Sequence, residues 1–263
     1  MNRFIHVFTL LLALFFFPVT GIINVIASTS PVEENELYVS FLNIPDGEAT
    51  IIQTPDGKNF LINTGSKESR LELWKQLKEL HVEKLDGLIL TKQTEEYCGN
   101  IDQIHENFDV QNVYYANSEK QLLTGITNKT MWKKDDQIKL GSALNIHVLQ
   151  TNTAGEMTFL IEFGKNSILY MSVNDPDSDK GLEAYNLQSE IIKIADYGQS
   201  NSPSAKLLQK MDPHISIVFN QEAGTPNKDL MERLNESWID VYQLKQVGTT
   251  IIRMDLNDYE IIS

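Results

Sequence analysis

The chain has 263 residues, a formal charge of −14 and a single cysteine, Cys98. Its length suits one large core, roughly 150–250 residues, and its composition is too polar for a multi-span membrane protein and too aliphatic for disorder. The negative balance opposes binding to nucleic-acid phosphates, and the lone thiol excludes an intramolecular disulfide or a thiolate zinc cluster.

Residues 1–27 have the layout of a secretory signal: a basic start at Arg3, an apolar stretch from Phe4 to Val19, helix breakers at Pro18 and Gly21, and a small-residue exit at Val25-Ile26-Ala27. This predicts a cut after Ala27. The competing reading is an uncleaved anchor, because Phe4 to Ile26 could just cross a bilayer, where about 20 residues suffice. Either way the remainder is expected outside the cytoplasm, extracellular or on the cell surface, touching a membrane only through residues 1–27. No cysteine follows the apolar run, so a lipoprotein anchor is excluded. Residues 28–36 read as a polar linker and 37–263 as the folded domain.

Leu37–Leu42, Thr50–Gln53 and Asn59–Asn63 are β-prone runs separated by the turn signals Pro45-Asp46-Gly47 and Thr54-Pro55-Asp56-Gly57, which predicts a hairpin meander. Leu71, Trp74, Leu77 and Leu80 recur at helical spacing. Leu88–Leu90 reads as a buried strand, Ile101, Ile104 and Phe108 as the inner face of a helix, and Val113–Tyr115 as the strand closing a βαβ-like unit. A second half repeats the style, with strands near Leu144–Leu149, Thr158–Phe163, Ser167–Met171, Ile191–Ala195 and Ile215–Phe219. Helices are expected at Ser204–Met211 and Asn227–Asn235, and strands at Asp240–Tyr242, Thr249–Met254 and Tyr259–Ile262 finish the chain. Two sheet-rich halves with helices outside predict a four-layer αββα sandwich of the α/β class.

Common catalytic signatures are missing: G-x-S-x-G, the phosphate-cradling G-x-x-x-x-G-K-[ST], G-x-G-x-x-G and H-E-x-x-H. His81-Val82-Glu83 has the H-x-E of a zinc deaminase, but the P-C-x-x-C it needs cannot exist here. His81, His105, His147 and His214 are far apart in sequence and read as surface or structural residues. Asp175, Asp177 and Asp179 alternate like the start of a calcium loop, yet the glycine arrives one place late and the twelfth position is Asn186, so a solvated acidic loop is expected.

The segments Phe41-Leu42-Asn43-Ile44-Pro45-Asp46-Gly47-Glu48-Ala49 and Ile51–Gly65 resemble the opening of metallo-β-lactamase-fold proteins. The group most similar is the soluble domain of the competence DNA-uptake channel protein ComEC and its secreted relatives, which read F-L-D-V-G-Q-G-D-A and I-L-I-D-T-G there. The resemblance continues through Leu85–Thr91, Gly198–Pro213 and Gly248–Ile252. It implies the αββα fold and a hydrolase scaffold holding one or two metal ions.

At the positions where that family carries ligands, this sequence differs. The family's T-H-x-H-x-D-H is Thr91-Lys92-Gln93-Thr94-Glu95-Glu96-Tyr97, so Lys92, Thr94 and Tyr97 stand at histidine positions and Glu96 at the aspartate. T-G-D becomes Met171-Ser172-Val173, with Asp175 two residues on. K-V-G-H-H-G-S becomes Lys193–Gln199, with Asp196 and Tyr197 in place of the histidines. G-H-P-H becomes Gly224-Thr225-Pro226-Asn227, and the aspartate ending the third strand is Asn63. An ammonium repels a divalent cation and offers no lone pair, so no metal cofactor is expected, and without it there is no Lewis acid or activated water. The resemblance with these departures implies a pseudoenzyme that binds an unknown protein or small-molecule ligand. Two alternatives stand beside it: a hydrolase with a rebuilt Mg²⁺ or Mn²⁺ site on Glu95, Glu96, Asp175 and Asp196, and a DNA-uptake-related nucleic-acid-binding accessory protein, which the charge opposes. Lys92 is expected to supply the positive charge of the former metal site, beside one or both of Glu96 and Asp196.

Overall fold

The structure, a computed structural model, describes residues 35–117, 125–174 and 177–262. The signal or anchor at 1–27, most of the linker and Asp175 lie outside the described residues. The first half runs β1 (Leu37–Phe41), β2 (Thr50–Gln53), β3 (Asn59–Ile62), α1 (Arg70–Glu79), β4 (Gly87–Leu90), α2 (Glu95–Cys98), α3 (Ile101–Asn107), β5 (Val113–Ala116) and β6 (Lys129–Trp132). The second runs β7 (Gln137–Leu140), β8 (Leu144–Thr151), β9 (Met157–Phe163), β10 (Asn166–Tyr170), α4 (Ser178–Glu183), β11 (Ile191–Lys193), α5 (Ala205–Met211), β12 (Ile215–Val218), α6 (Lys228–Glu236) and β13 (Asp240–Gln243). After α7 (Leu244–Val247) come β14 (Thr250–Met254) and β15 (Tyr259–Ile262).

The strands form an eight-stranded sheet ordered β15-β14-β1-β2-β3-β4-β5-β6 and a seven-stranded sheet ordered β13-β12-β11-β10-β9-β8-β7. Each is an antiparallel meander that turns parallel, from β3 to β6 in the first and from β10 to β13 in the second, with helices as the crossovers from β3 to β5 and from β10 to β13. The last two strands return to the first sheet, where Leu37 pairs with Met254 and Phe41 with Thr250. The expected αββα sandwich is what the chain forms.

Strand alternation divides the apolar residues between layers. Ile168, Tyr170 and Ile191 join the inter-sheet core, whereas Leu169, Met171, Ile192 and Ile194 join a second core under α4, α5 and α6. By the same alternation Lys193, two residues after Ile191, enters the inter-sheet space. Aromatic rings bind the inner layer: Phe159 stacks on Tyr170 at 5.3 Å and Tyr170 on Phe41 at 6.5 Å.

Local signals explain the helix ends. Ser204 Oγ accepts from Leu207 N at 3.2 Å to start α5, which stops at Asp212 in the left-handed region (φ 53°). In α1 the structure corrects the expected stripe. Leu71 is 80% exposed, and the buried positions are Leu73, Gln76 and Leu77, with Trp74 and Leu80 partly buried beside them. Three-residue steps fall short of a full turn, so a stripe extended backward by threes rotates off the buried face. Strands β6 and β7 and helices α2, α4 and α7 have no counterpart among the expected elements.

Candidate functional site

The carboxyl ends of the parallel strands β3, β4, β10 and β11 face the loop joining β1 to β2, which is where ligands usually meet an open α/β sheet. Asn63 follows β3, the Lys92–Tyr97 loop follows β4, Ser172–Asn174 follow β10, and Asp196 and Tyr197 follow β11. Glu48 arrives from the β1–β2 loop.

At the bottom of this cleft Glu48 and Lys193 form an ion pair with both side chains fully buried. Lys193 Nζ also donates to Met171 O at 3.0 Å, and it lies 4.8 Å from the Tyr170 ring centre and 5.6 Å from that of Phe219. Tyr97 Oη donates to Glu48 Oε1 at 3.2 Å. Burial pushes the Glu48 carboxyl above its ordinary range and the Lys193 ammonium below its own, while their mutual attraction opposes both shifts. Tyr97 and Tyr170 are pushed well up, first by burial and then by the Glu48 charge, so both remain neutral hydroxyls at physiological pH.

Nearer the mouth a second pair has the opposite polarity between the sheets: Lys92, from the first, bonds to Glu156, which precedes β9 in the second, at 2.9 Å. Glu156 also accepts from Asn152 Nδ2 at 2.7 Å and Asn174 N at 3.3 Å. Burial alone would raise the Glu156 carboxyl, but Lys92 and these amides hold it below its ordinary range. The direct salt-bridge partner of Lys92 is thus Glu156 rather than Glu96 or Asp196. Asp196 lies within electrostatic reach of Lys92 but is hydrogen-bonded to Asn174 Nδ2 at 2.9 Å, and burial raises its carboxyl. Glu96 is engaged through its backbone, whose carbonyl accepts from Glu48 N at 3.1 Å. The Glu156 role was missed because that residue sits in a turn outside every quoted motif.

Neutral polar groups complete the cleft. Asn63, buried at φ 60°, accepts from Thr91 N and donates to Thr91 Oγ1, both at 2.9 Å, and Ser172 Oγ bonds to Thr91 Oγ1 at 2.9 Å across the sheets. Asp196, Tyr197 and Gly198 occupy three successive left-handed conformations (φ 50°, 55° and 72°), a strained turn that brings the Tyr197 ring within 5.9 Å of Tyr97.

The remaining expected positions separate. Asn227 caps α6, accepting from Asp229 N at 2.9 Å and Leu230 N at 3.2 Å. Thr94 precedes α2, its carbonyl accepting from Tyr97 N and Cys98 N. Thr225 lines a small cavity beside Tyr197. His81, His105, His147 and His214 stay apart, His105 on α3 and His147 on β8, with His214 meeting Tyr259 Oη at 3.2 Å. Of the acidic loop, Asp179 is spent on Ser202 Oγ and Ser204 N at 2.6 Å each, and Asp177 pairs with Lys180.

These residues do not fit a metal centre. Protonated lysines donate no lone pair, and the two that enter the cleft each engage a carboxylate. Among the described residues no group of three His, Cys, Asp or Glu side chains is placed to hold an ion. Glu95 is turned outward, accepting from Lys67 N at 3.0 Å, away from the Asn174-bound Asp196.

No protein-family model and no curated protein matches the chain. Solved structures do. The chain is similar to the metallo-β-lactamase fold protein YhfI from Bacillus subtilis at 11% identity and a TM-score of 0.63, covering 83% of this chain and 100% of that one. A diphosphatase of the PhnP family matches at 14% identity and TM-score 0.55, with 84% and 98% covered. CmlA, a diiron β-hydroxylase from Streptomyces venezuelae, matches at 12% and 0.57, with 89% of this chain and 54% of that one covered, so the chain spans about half of CmlA. At these identities the likeness is one of fold: the sandwich is a metallo-β-lactamase fold.

Proposed function

We propose that this chain is an exported, catalytically inactive member of the metallo-β-lactamase fold, related to the ComEC soluble domain, which acts as a binding or accessory module. The observation that carries the reading is the charge arrangement of the cleft. Two ammoniums, Lys92 and Lys193, enter it from opposite sheets and each engages a carboxylate from the other. A divalent ion placed there would meet positive charge and carboxylates already neutralised, so water activation has no source.

The hydrolase with a rebuilt carboxylate site gains no support from Glu95 or Asp196, which are committed to Lys67 and Asn174. Nucleic-acid binding is opposed by the charge of −14. The test is hydrolysis of bis(p-nitrophenyl) phosphate and a chromogenic β-lactam by the exported protein, with and without added Zn²⁺ or Mn²⁺. The expected result is turnover no faster than buffer under every condition. Turnover that rises with metal and is lost in Glu156→Gln would overturn the reading.

A further inference from the structure

Beside the charged cleft, the carboxyl ends of three adjacent parallel strands, β11, β12 and β13, surround a cavity of about 40 Å³. Phe219, Val218 and Pro226 give it an apolar floor, and no carboxylate lines it, although the chain holds 36 acidic residues. Carboxamides dominate its polar wall.

Their hydrogen bonds define what the wall can still accept. Gln199 Nε2 donates to Gln221 Oε1, joining the two side chains into one unit. Gln199 Oε1, an acceptor, and Gln221 Nε2, a donor, are left without partners among the described residues. Asn220 is fixed on the neighbouring wall by donating to Asn43 Oδ1 at 2.5 Å and Ile44 O at 3.2 Å. Gly224 makes the room: its backbone stands at φ 142°, and a Cβ there would lie 2.5 Å from Gln199 Nε2. Tyr197, also lining the cavity, has a buried hydroxyl with no hydrogen-bond partner among the described residues.

The Gln221 donor and the Gln199 acceptor, with the Phe219 ring beside them, match a secondary amide. Its carbonyl accepts from Gln221, its N–H donates to Gln199, and an attached methyl covers Phe219. A carboxylate would face the Gln199 oxygen, and an ammonium would meet Lys245 at the rim. We propose that this cavity is a subsite for an acetamido group, presented by an N-acetylated sugar or an N-acetylated peptide. The inference deepens the binding reading above and rests on it only in that the chain takes a ligand at this end of its sheets.

Titration of the ¹⁵N-labelled protein with N-acetylglucosamine, N-acetylalanine amide and glucosamine, with saturation-transfer spectra, tests it. At least one acetylated probe should bind in roughly the millimolar range, as suits so small a group, with its methyl receiving the strongest saturation. Whichever acetylated probe binds more tightly names the source. Glucosamine should bind at least about tenfold more weakly, and Gln199→Leu with Gln221→Leu should weaken the acetylated probe about tenfold or more through two lost hydrogen bonds. The comparison of probes uses the unmodified chain, so it stands even if the double variant does not fold. Absence of binding by both acetylated probes, equal binding of glucosamine, or unchanged affinity in a folded double variant would overturn the subsite. A metal-bound chain that still binds the acetylated probe would overturn only the non-catalytic reading, and a metal-free chain that ignores both probes would overturn only the subsite.

Discussion

Replacing Lys193 by Met removes the ammonium from a pair whose side chains are both fully buried. The methionine fills much of the space beside Tyr170 and Phe219, so the loss is chiefly electrostatic: Glu48 is left buried with neutral hydroxyls such as Tyr97 in place of its counter-ion, and Met171 O loses its 3.0 Å bond. Breaking a buried pair from one side costs about 3–5 kcal/mol, because the surviving charge has neither water nor counter-ion. The same variant should show a pH signature. Without Lys193 the Glu48 carboxyl, already raised by burial, rises further. A carboxyl raised above its unfolded value contributes stability that is present at low pH and lost as pH rises through the folded value, so the variant should be closer to wild type at pH 5 than at pH 8. Adding Glu48→Gln removes the orphan charge, and the double variant should recover at least about 1 kcal/mol relative to the sum of the single losses. Urea unfolding midpoints at both pH values give these quantities. A Lys193→Met loss below about 1 kcal/mol, typical of an exposed pair, or strict additivity in the double variant, would refute the reasoning.

Lys92→Met, at the partly buried mouth pair, should cost roughly 1–3 kcal/mol near neutral pH, between exposed and buried cases. Because Glu156 is held below its ordinary range, that contribution is present above the unfolded value of 4.5 and lost as pH falls through the folded one, so the deficit seen in urea titrations should shrink in acid. A chelator should leave the melting temperature unchanged, since a chain without a bound ion has no binding free energy to lose; a clear drop by calorimetry would count against the account. If residues 1–27 are a cleaved signal, intact-mass analysis should find Ser28 at the N-terminus, whereas residues 1–27 retained in a membrane fraction would establish the anchor.

Most of the layer order was legible because it rests on period. Runs such as Ile191-Ile192 and Leu88-Ile89-Leu90 are apolar on both faces, as parallel strands covered on both sides must be. Strands β6 and β7 escaped because they are mostly solvent-facing, Lys129–Met131 and Gln137–Lys139 exposing all or most of their side chains; an edge strand has no reason to carry an apolar stripe. Within the cleft, the positions of Lys92 and Asp196 were legible from motif order, but their partners were not. Glu48 and Lys193 lie inside recognised segments, yet only the stacking of one sheet on the other brings them together. Glu156 had no local signal, since its role depends on Met157 N bonding to Thr91 O and so docking the start of β9 beside the Lys92 loop. Asn227, expected from the resemblance at a ligand position, is a helix cap, which its place before an amphipathic run also suggests.

The central claim is that paired lysines and carboxylates occupy the cleft in place of metal chemistry. Elemental analysis of the protein, purified without chelator and dialysed against buffer containing zinc, manganese and iron, tests it most directly. The account predicts well below one equivalent of any transition metal per chain, unchanged in Lys92→Met. One or two tightly held equivalents, lost together with Glu156→Gln or Asp196→Asn, would contradict it.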